Sequence, residues 1–542
     1  MPLQLPPPRT DGDIRLIRTS LPLLREDPQD CPRGNALRAR PFVRQDTERS
    51  RRKPVEDFAL GPVMNVLDAV EHEGADLEDA LVRLRRNNKY HAGHASWAET
   101  AIRRYLRARD EQEALRRALG RPATVPVRAQ WTAVARNDTP DARGATRYER
   151  TAWGRRYACV DGSERELWLL SVNSVKEDRT DAELAEAAAV ALKGVPSRSA
   201  FGDIFREVEG STVRPDRVRV VGVGCGHGDH KVLADWDAEE IERHFTEQAK
   251  PVLSRVVEDD RLNPGSSCVR CEGLTGCELP RRAPGILSVP GPRRSRARRS
   301  VSTTDLRVHA TCPAQFHLTR VLHLKSGAPE SEPIRRGRAV DHWLNVQHSA
   351  GSCASTPLPD TLPGLAPAES PTALALLAAH QRDCPLDGLA DTEQVRVQPR
   401  LTLYDPQLDI VLIADPDLLY TSSGGWIWRE TKTAANPPWE GRELMETYPQ
   451  LAFAALMMAA GVPGGDPRRS WVELEVLYGD RSRCEEVDPG DPDTLAEARR
   501  IVAGLAESWA VDEVYAPKPG DSCSGCDVLA HCSAGRSHLE NR

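Results

Sequence analysis

The 542-residue sequence has no hydrophobic run long enough to cross a membrane. Its longest nearly apolar stretch, Leu451 to Pro463, falls short of the roughly 20 residues that a membrane-spanning helix needs. The amino terminus also lacks the basic start, apolar middle and small-residue cleavage site of a secretory signal. We therefore expect a cytoplasmic protein without a membrane partner, in a compartment where thiols stay reduced.

The sequence also lacks a global basic charge and a nucleotide-binding loop. Its formal net charge is -7, which excludes an overall electrostatic signature of nucleic-acid binding. No Gly-x4-Gly-Lys-Ser/Thr motif occurs, so any ATP-driven unwinding must come from a helicase or ATPase partner. Local basic runs, such as Arg83–Arg86 and the arginines between 293 and 299, fit either solvated faces or nucleic-acid contacts.

Thirteen cysteines are present, and eight of them form two sets with one spacing. Each set combines Pro-Gly-x-Ser-Cys-x2-Cys-x5-Cys with a lone upstream Cys-Pro pair. Because disulfides are rare in reducing compartments, the sets indicate metal binding. The first set is Cys31, Cys268, Cys271 and Cys277, and the second is Cys312, Cys523, Cys526 and Cys532. Inert core or surface thiols are expected at Cys159, Cys225, Cys353, Cys384 and Cys484.

The repeated cysteine pattern predicts a duplicated chain, and other landmarks recur in the same order. Gly61-x3-Asn65 recurs as Gly337-x3-Asp341, and Glu183-Leu-Ala recurs as Gln450-Leu-Ala, each at the same interval before a Gly-Val-Pro. A chain of this length also exceeds one ordinary core.

The boundary between the copies is expected in a segment of linker composition. We predict a first domain at 1–280, a basic Pro/Gly/Arg linker at 281–300 and a second domain at 301–542, because the middle segment is rich in Pro, Gly and Arg. Residues 349–385, rich in Pro, Ala, Ser and Leu, are predicted to be a loose insertion with a short helix.

Two predicted strands in the second copy bring charged side chains together. Ile410–Tyr420 is predicted to be one strand, followed by a Ser-Ser-Gly-Gly turn and a returning strand at Trp426–Thr433. Glu430 and Lys432 are two residues apart, so they share a face. Asp417 can meet them across the hairpin.

Two carboxylates beside a lysine suit phosphodiester hydrolysis. Carboxylate oxygens bind hard cations such as Mg2+, and the cation lowers the pKa of bound water and neutralises charge on the phosphate. The lysine can position the nucleophile or stabilise the same charge. A surface Glu/Lys pair on an exposed strand is the alternative explanation for the pattern alone.

With these motifs, residues from about Ser302 to Cys532 resemble the PD-(D/E)XK nuclease superfamily, in its RecB-like and AddB-like branch with a C-terminal iron-sulfur cysteine cluster. The resemblance implies an α/β fold: two tandem restriction-endonuclease-like domains, each a mixed central sheet flanked by helices and stapled by four cysteines. The first domain is then a degenerate copy.

The resemblance also assigns roles. It implies catalytic roles for Asp417, Glu430, Lys432 and Gln450, and Mg2+ or Mn2+ held by Asp417, Glu430, Thr431 and Asp341. The family helix carries His where this chain has Asp341, with His342 displaced by one residue; only one of the two can face the metal, and we favour Asp341. The family's Tyr four residues after the Gln is Ala454 here, which removes its nucleic-acid contact.

The first copy lacks the same residues. Aligned on the second copy, Ser171 stands for Glu430, Asn173 for Lys432, Asn65 for Asp341 and Glu183 for Gln450. We therefore predict a first domain without catalysis that holds nucleic acid or a partner protein.

Each four-cysteine set fits either a 4Fe-4S cluster or a tetrahedral Zn2+ by spacing alone. The resemblance favours a 4Fe-4S cluster in the second copy and another in the first.

The sequence thus predicts a metal-dependent DNA nuclease acting on ends or single strands, in a repair, recombination or antiviral defence complex. A non-catalytic DNA-binding scaffold of a helicase-nuclease or defence complex, and an RNA-processing nuclease, are the alternatives.

Overall fold

The computed structural model describes residues 6–199, 203–210, 213–325, 330–436 and 443–541. The helices and strands of the first half are β1 (Thr10–Asp11), β2 (Leu16–Ser20), α1 (Pro32–Arg38), β3 (Arg44–Gln45), α2 (Gly61–Glu73), α3 (Leu77–Arg85), α4 (Ala92–Ala118), β4 (Thr124–Pro126), β5 (Gln130–Arg136), β6 (Arg147–Thr151), β7 (Arg155–Cys159), β8 (Glu164–Ser171), α5 (Asp181–Lys193), β9 (Val195–Arg198), β10 (Arg206–Glu207), β11 (Arg217–Gly224), β12 (His230–Asp237), α6 (Ala238–His244) and α7 (Lys250–Val256).

The second half continues the series: β13 (Arg281–Arg282), β14 (Arg299–Val301), α8 (Thr303–Thr311), α9 (Pro313–Phe316), α10 (Glu332–His348), α11 (Ser370–Arg382), β15 (Val395–Val397), β16 (Leu401–Asp405), β17 (Ile410–Ala414), β18 (Leu418–Ser422), β19 (Gly425–Ala434), α12 (Leu444–Thr447), α13 (Pro449–Ala459), β20 (Trp471–Tyr478), β21 (Arg481–Val487), α14 (Pro492–Val511) and α15 (Ser533–Glu540). The fold is therefore α/β with mixed sheets, as expected.

The main sheets of the two halves have the same strand order and directions. The first runs β12-β11-β8-β7-β4 and the second β21-β20-β19-β18-β15. In each, one central pair is parallel, β8 with β11 and β19 with β20, and the other neighbours are antiparallel. A parallel pair needs a crossover, and α5 and α13 lie in the two crossovers.

A buried helix fills the core of the second half. Every residue of α13 from Leu451 to Met458 is buried, because the helix packs between α14 and β20. An all-apolar helix surface is typical of such a fully covered position. None of the described helices is long and apolar enough to span a bilayer.

The single strand predicted at Ile410–Tyr420 is wrong in one respect, since it is two strands in different sheets. β17 pairs with β14 and β16, whereas β18 pairs with β15 and β19. The break contains Pro416, and proline has no amide hydrogen for a sheet ladder.

The segment 281–300 is packed into the second half and is not a loose linker. Its ends pair with β16 and β17, and Leu287 and Val289 are buried in the second core. The guanidinium of Arg298 donates to Asp409 Oδ1 at 2.6 Å, and that of Arg299 lies 3.5 Å from the Trp509 ring centroid. Three of the basic residues, including Arg296, are thus engaged within the fold, while Arg293 and Arg294 are exposed.

The segment 349–385 also differs from the predicted loose insertion. It contains the 13-residue helix α11, and its buried side chains, among them Cys353, Leu362 and Leu377, join one apolar cluster with Trp343. Composition rich in Pro and Ser did not reveal this packing, because the apolar partners lie on other elements.

Each half packs its cysteine segment against the other half. Cys268 and Leu274 share an apolar cluster with Tyr404 and Val411 of the second half. Conversely, Leu318 and Val528 belong to the cluster around α2, α3 and α4 of the first half.

We expect Leu287→Ala to lower the free energy of unfolding by about 2–5 kcal/mol, because the side chain is 0% exposed and its loss leaves a core cavity. Denaturant unfolding followed by circular dichroism measures this. Leu119→Ala, at a position 65% exposed, is the matched control and should change it by less than about 0.5 kcal/mol. Equal effects of the two changes would contradict the packed arrangement of 281–300.

Candidate functional site

Asp417, Glu430 and Lys432 meet at one end of the β18–β19 pair, in the middle of the second main sheet. Leu418 pairs with Arg429 across β18 and β19, which sets Asp417 opposite Glu430. Lys432 Nζ lies 3.1 Å from Glu430 Oε2 and 3.4 Å from Asp417 Oδ2. The backbone N–H of Thr431 donates to Asp417 Oδ2 at 2.7 Å. The structure thus brings the three predicted residues together.

Alternation along β19 explains why the charged groups converge. Trp428, Glu430 and Lys432 share one face, because successive strand residues point to opposite sides. Trp428 is buried and its Nε1–H donates to Glu430 Oε1 at 3.0 Å. This bond fixes the Glu430 carboxylate with its other oxygen towards the lysine.

The helix α10 supplies Asp341 to the site and points His342 away. Asp341 is half-buried and His342 is exposed. Gln398 Nε2 donates to both Asp341 oxygens at 3.2 and 3.1 Å, and the Gln398 backbone N–H donates to Asp417 O at 3.2 Å. Gln398 therefore links the two aspartates, a role that no sequence signal indicated.

Burial and neighbouring negative charge raise the pKa values of two acids in the site, Glu430 and Asp341. Burial raises the pKa of Glu430, and Asp417 raises it further against the opposing effect of Lys432. Burial and Asp417 likewise raise the pKa of Asp341. Burial lowers the pKa of Lys432, but Glu430 and Asp417 outweigh this, so its pKa is above the usual value. Clustered carboxylates of this kind are favourable ligands for a divalent cation.

The remaining predicted residues lie in differing positions. The Thr431 carbonyl accepts from Lys432 Nζ at 3.2 Å, while its hydroxyl donates to Glu475 Oε2 at 3.3 Å on the far side of the sheet. Gln450 is half-buried in the first turn of α13, and among the described residues no hydrogen bond joins its side chain to the three charged groups. Ala454 is fully buried in the same helix.

The corresponding strand of the first half, β8, carries no charge at the end that aligns with Glu430, since its charged residues Glu164, Arg165 and Glu166 lie at its start. Leu167 and Leu169 face the α5 cluster as Trp426 and Trp428 face the α13 cluster, so Ser171 falls on the face that bears Glu430.

Two counterpart side chains in the first half bind other partners. Asn173 Nδ2 donates to His323 O at 2.9 Å, and its Oδ1 accepts from Lys325 N at 3.0 Å, so it contacts the second half. Asn65 Nδ2 donates to Tyr90 Oη at 2.8 Å.

Glu183 is also engaged. Its carboxylate accepts from Arg25 Nε at 2.9 Å and from Arg179 Nη1 at 3.3 Å, and its side chain completes the capping box at the start of α5.

Each four-cysteine set gathers residues from distant chain segments. The first set, Cys31, Cys268, Cys271 and Cys277, lines a cavity of about 30 Å3, where one water needs roughly 10–15 Å3. Burial, with the neighbouring thiols of the set, raises the pKa of Cys268 to about 11 and of Cys271 to about 12. The second set is Cys312, Cys523, Cys526 and Cys532. Burial is the main cause that raises the pKa of Cys526, and the other three thiols of the set raise it further.

Backbone amides support sulfur atoms in both sets. Gly34 N–H donates to Cys31 Sγ at 3.4 Å, and Gly535 N–H donates to Cys532 Sγ at 3.3 Å. Cys31 and Cys532 each cap the start of a helix, α1 and α15. Metal-bound sulfur atoms accept hydrogen bonds of this kind, so the contacts fit metal ligation.

A third group of metal-ligand side chains was missed in the sequence. His348, Cys353, His380 and Cys384 are buried, and one ligand atom of each lies within 4.8 Å of all the others. Cys353 and Cys384, expected to be inert thiols, are buried, and their sulfurs lie 3.6 and 3.8 Å from His348 Nε2. The paired spacings His-x4-Cys and His-x3-Cys were the available signal.

The comparisons with known proteins bear on the second half. Residues 300–533 match the family model of the PD-(D/E)XK nuclease superfamily. This match confirms the resemblance at the level of the superfamily and suggests a nuclease. It contains α10, the β18–β19 pair and the second cysteine set.

Similarity to individual proteins is low. No curated protein matches the chain. Ten chains of solved structures match; one of them, titled "Crystal structure of SSO0001", is 16% identical, covers 44% of this chain and 86% of its own, and has a TM-score of 0.23.

We expect Mn2+ binding to separate Asp341 from its neighbour. Asp341→Asn should raise the Mn2+ dissociation constant at least about tenfold, because the affinity for the cation follows the number of charged oxygen ligands. His342→Ala should leave it unchanged, since that side chain is exposed. Titration calorimetry on both variants measures this. A larger loss in His342→Ala than in Asp341→Asn would contradict the assignment.

Proposed function

We propose that the second half is a metal-dependent DNA nuclease of the RecB-like type, acting on DNA ends or single strands. The observation that carries the proposal is the meeting of Asp417, Glu430 and Lys432 on the β18–β19 pair, with Asp341 beside them. This cluster lies within the segment that matches the superfamily model. Cleavage assays on both nucleic acids test whether the substrate is DNA or RNA.

Asp417, Glu430 and Asp341 would hold Mg2+ or Mn2+, with the Thr431 carbonyl as a further oxygen donor. The donor set fits, because it consists of oxygens and the raised pKa values of Glu430 and Asp341 would be reversed by a cation. When bound, the metal supplies a more acidic water and neutralises phosphate charge.

Lys432 would act on the substrate side of the cluster. The Lys432 side chain is 37% exposed, so it can reach a phosphate while Glu430 and Asp417 keep it in place. Its raised pKa keeps it protonated at neutral pH, which suits stabilisation of developing negative charge more than proton abstraction. Gln450, at the start of α13, would orient the substrate or water.

The first half is proposed to be a degenerate copy without catalysis. The shared strand order and the shared cysteine geometry support a tandem duplication. Ser171, Asn173 and Asn65 provide no carboxylate or ammonium, and Asn173 instead binds the backbone of the second half. We assign this half to holding DNA or a partner protein, such as a helicase, an ATPase or a defence-complex subunit.

Each four-cysteine set would hold a 4Fe-4S cluster. The four cysteines of the first set line one cavity with room for more than one water, and the resemblance to iron-sulfur nucleases favours a cluster over a single zinc ion. When bound, a cluster would tie the start of a copy to its end, and closing so long a loop stabilises the fold. Along the chain, for example, all five strands of the second main sheet lie between Cys312 and Cys526.

Nuclease activity is tested with labelled single- and double-stranded DNA and RNA in Mg2+ or Mn2+. We expect cleavage of DNA by the wild-type protein, and Glu430→Gln and Lys432→Ala should each lower the rate by at least about 100-fold. Both variants should still bind DNA.

The matched control is an exposed pair of the same residue types in the first half. Lys231 Nζ lies 2.5 Å from Glu177 Oε2, and Glu177→Gln and Lys231→Ala should cleave at the wild-type rate. Tight DNA binding without cleavage by the wild-type protein would overturn the nuclease and favour a scaffold. Cleavage of RNA alone would overturn the choice of DNA.

The iron-sulfur assignment is tested by colour and metal content. We expect a brown protein with absorbance at about 400 nm, and Cys526→Ser should lose about half of the bound iron because it disrupts one of two clusters. Cys484→Ser, at an exposed thiol, should lose none. A colourless protein with zinc in these sites would refute the assignment.

A further inference from the structure

Four buried side chains behind the catalytic strand point their ligand atoms at one centre. They are His348, Cys353, His380 and Cys384, and their exposed fractions are 5%, 0%, 0% and 7%. His348 ends α10, Cys353 lies in the loop after it, His380 lies in the last turn of α11, and Cys384 comes just after that helix. Neither the superfamily match nor the DNA nuclease proposal uses any of them.

The distances between these atoms match a tetrahedral zinc site. Zinc bonds of about 2.0–2.1 Å to nitrogen and about 2.3 Å to sulfur set ligand atoms about 3.3–3.6 Å apart for N–N and N–S pairs. His348 Nε2 lies 3.2 Å from His380 Nε2, 3.6 Å from Cys353 Sγ and 3.8 Å from Cys384 Sγ. A purely apolar packing of these side chains has no reason to adopt this spacing.

A carboxylate orients one of the histidines. Glu475 on β20 is fully buried, and its Oε2 lies 2.7 Å from His380 Nδ1. The contact occupies Nδ1 and directs Nε2 at the other three ligand atoms. Zinc-bound histidines usually have such a carboxylate partner on the second ring nitrogen.

The same carboxylate reaches the catalytic strand from behind. Glu475 Oε2 accepts from the Thr431 hydroxyl at 3.3 Å, and Glu475 Oε1 lies 3.2 Å from Arg429 Nη2. Thr431 stands between Glu430 and Lys432, and its N–H donates to Asp417. The histidine-cysteine group and the carboxylate cluster thus lie on opposite faces of one strand.

The helix α10 connects the two groups as well. Asp341 and His348 are seven residues apart, which is about two helical turns at 3.6 residues per turn. They therefore share one face of α10, the face towards the sheet. A metal bound at the end of the helix fixes the rotation of that face.

We propose that His348, Cys353, His380 and Cys384 bind one structural zinc ion, which clamps α10 and α11 to β20 and thereby sets the position of Asp341. Cys2His2 in tetrahedral spacing favours zinc over harder cations. Four protein ligands leave no open position for substrate, so the role is structural. The zinc proposal does not depend on the nuclease proposal.

Zinc content of the full-length protein tests the site. We expect the Cys353→Ser/Cys384→Ser variant to contain one zinc ion per chain fewer than the wild type by mass spectrometry, with iron unchanged. Cys484→Ser should lose no zinc. An equal zinc content in both variants, or a wild type that contains no zinc and takes up none, overturns the proposal.

Replacement of zinc by Co2+ in the wild-type protein tests the same site without a variant, and so holds even where the double cysteine variant fails to fold. Wild-type protein stripped of zinc and loaded with Co2+ should show the visible bands of tetrahedral cobalt with thiolate ligands. Octahedral bands alone, or recovery of a Cys353–Cys384 disulfide in place of metal binding under reducing conditions, would overturn the zinc assignment.

Glu475 is a positioning residue, and chelator competition tests it. Glu475→Gln should weaken zinc affinity by about 10–100-fold, as loss of such an orienting carboxylate does elsewhere. Glu473→Gln is the matched control, because Glu473 lies on the same strand and binds Arg429 but not His380. Equal zinc affinity in both variants would refute the orienting role.

Discussion

Charge on a buried central strand is the constraint around which the second half is arranged. β19 is covered by helices on both faces, yet it carries Arg429, Glu430 and Lys432 within four residues. Removing one ion from water costs several kcal/mol unless a partner compensates. The two neighbouring strands therefore bring carboxylates to its cations: Asp417 lies just before β18, and Glu473 and Glu475 lie on β20.

The two faces meet this constraint differently. On the α13 side, one ammonium, that of Lys432, faces the two carboxylates of Glu430 and Asp417, and burial, with the Asp417 charge, keeps the pKa of Glu430 raised. On the α10 and α11 side, Arg429 and His380 together face Glu473 and Glu475. The first face thus has more carboxylates than cations and can take up a metal ion, whereas on the second face each carboxylate has a partner within the protein.

In the first half the charges lie at the other end of the corresponding strand. β8 begins with Glu164, Arg165 and Glu166 and ends in Ser171, and the fully buried Glu166 is matched by Arg116 and Arg219. At the Ser171 end no charge needs a counter-charge, and Asn173 donates to the backbone of His323. In the proposed degenerate copy, the position that aligns with Lys432 thus makes a contact between the halves.

Local pattern was sufficient for the features that depend on neighbours in sequence. The β19 strand, its turn, and the shared face of Glu430 and Lys432 can be derived from alternation and from glycine placement. The preference for Asp341 over His342 came from the family helix frame, and Asp341 is the residue that lies beside Asp417.

Features that depend on distant segments could not be predicted in this way. Gln398 contacts Asp341 across 57 residues, and Glu475 meets His380 across 95. The linker composition of 281–300 concealed Leu287, whose burial depends on packing partners from the rest of the second half.

Reciprocal packing of the cysteine segments couples the halves energetically. The segment around Cys268 covers β17 of the second half, and the segment around Cys526 covers α4 of the first. A metal site that orders one segment therefore also completes the apolar core of the opposite half. Under the proposed duplication, this gives a physical reason for the chain to keep a cysteine set in a copy without catalysis: each set would stabilise the half that it does not belong to.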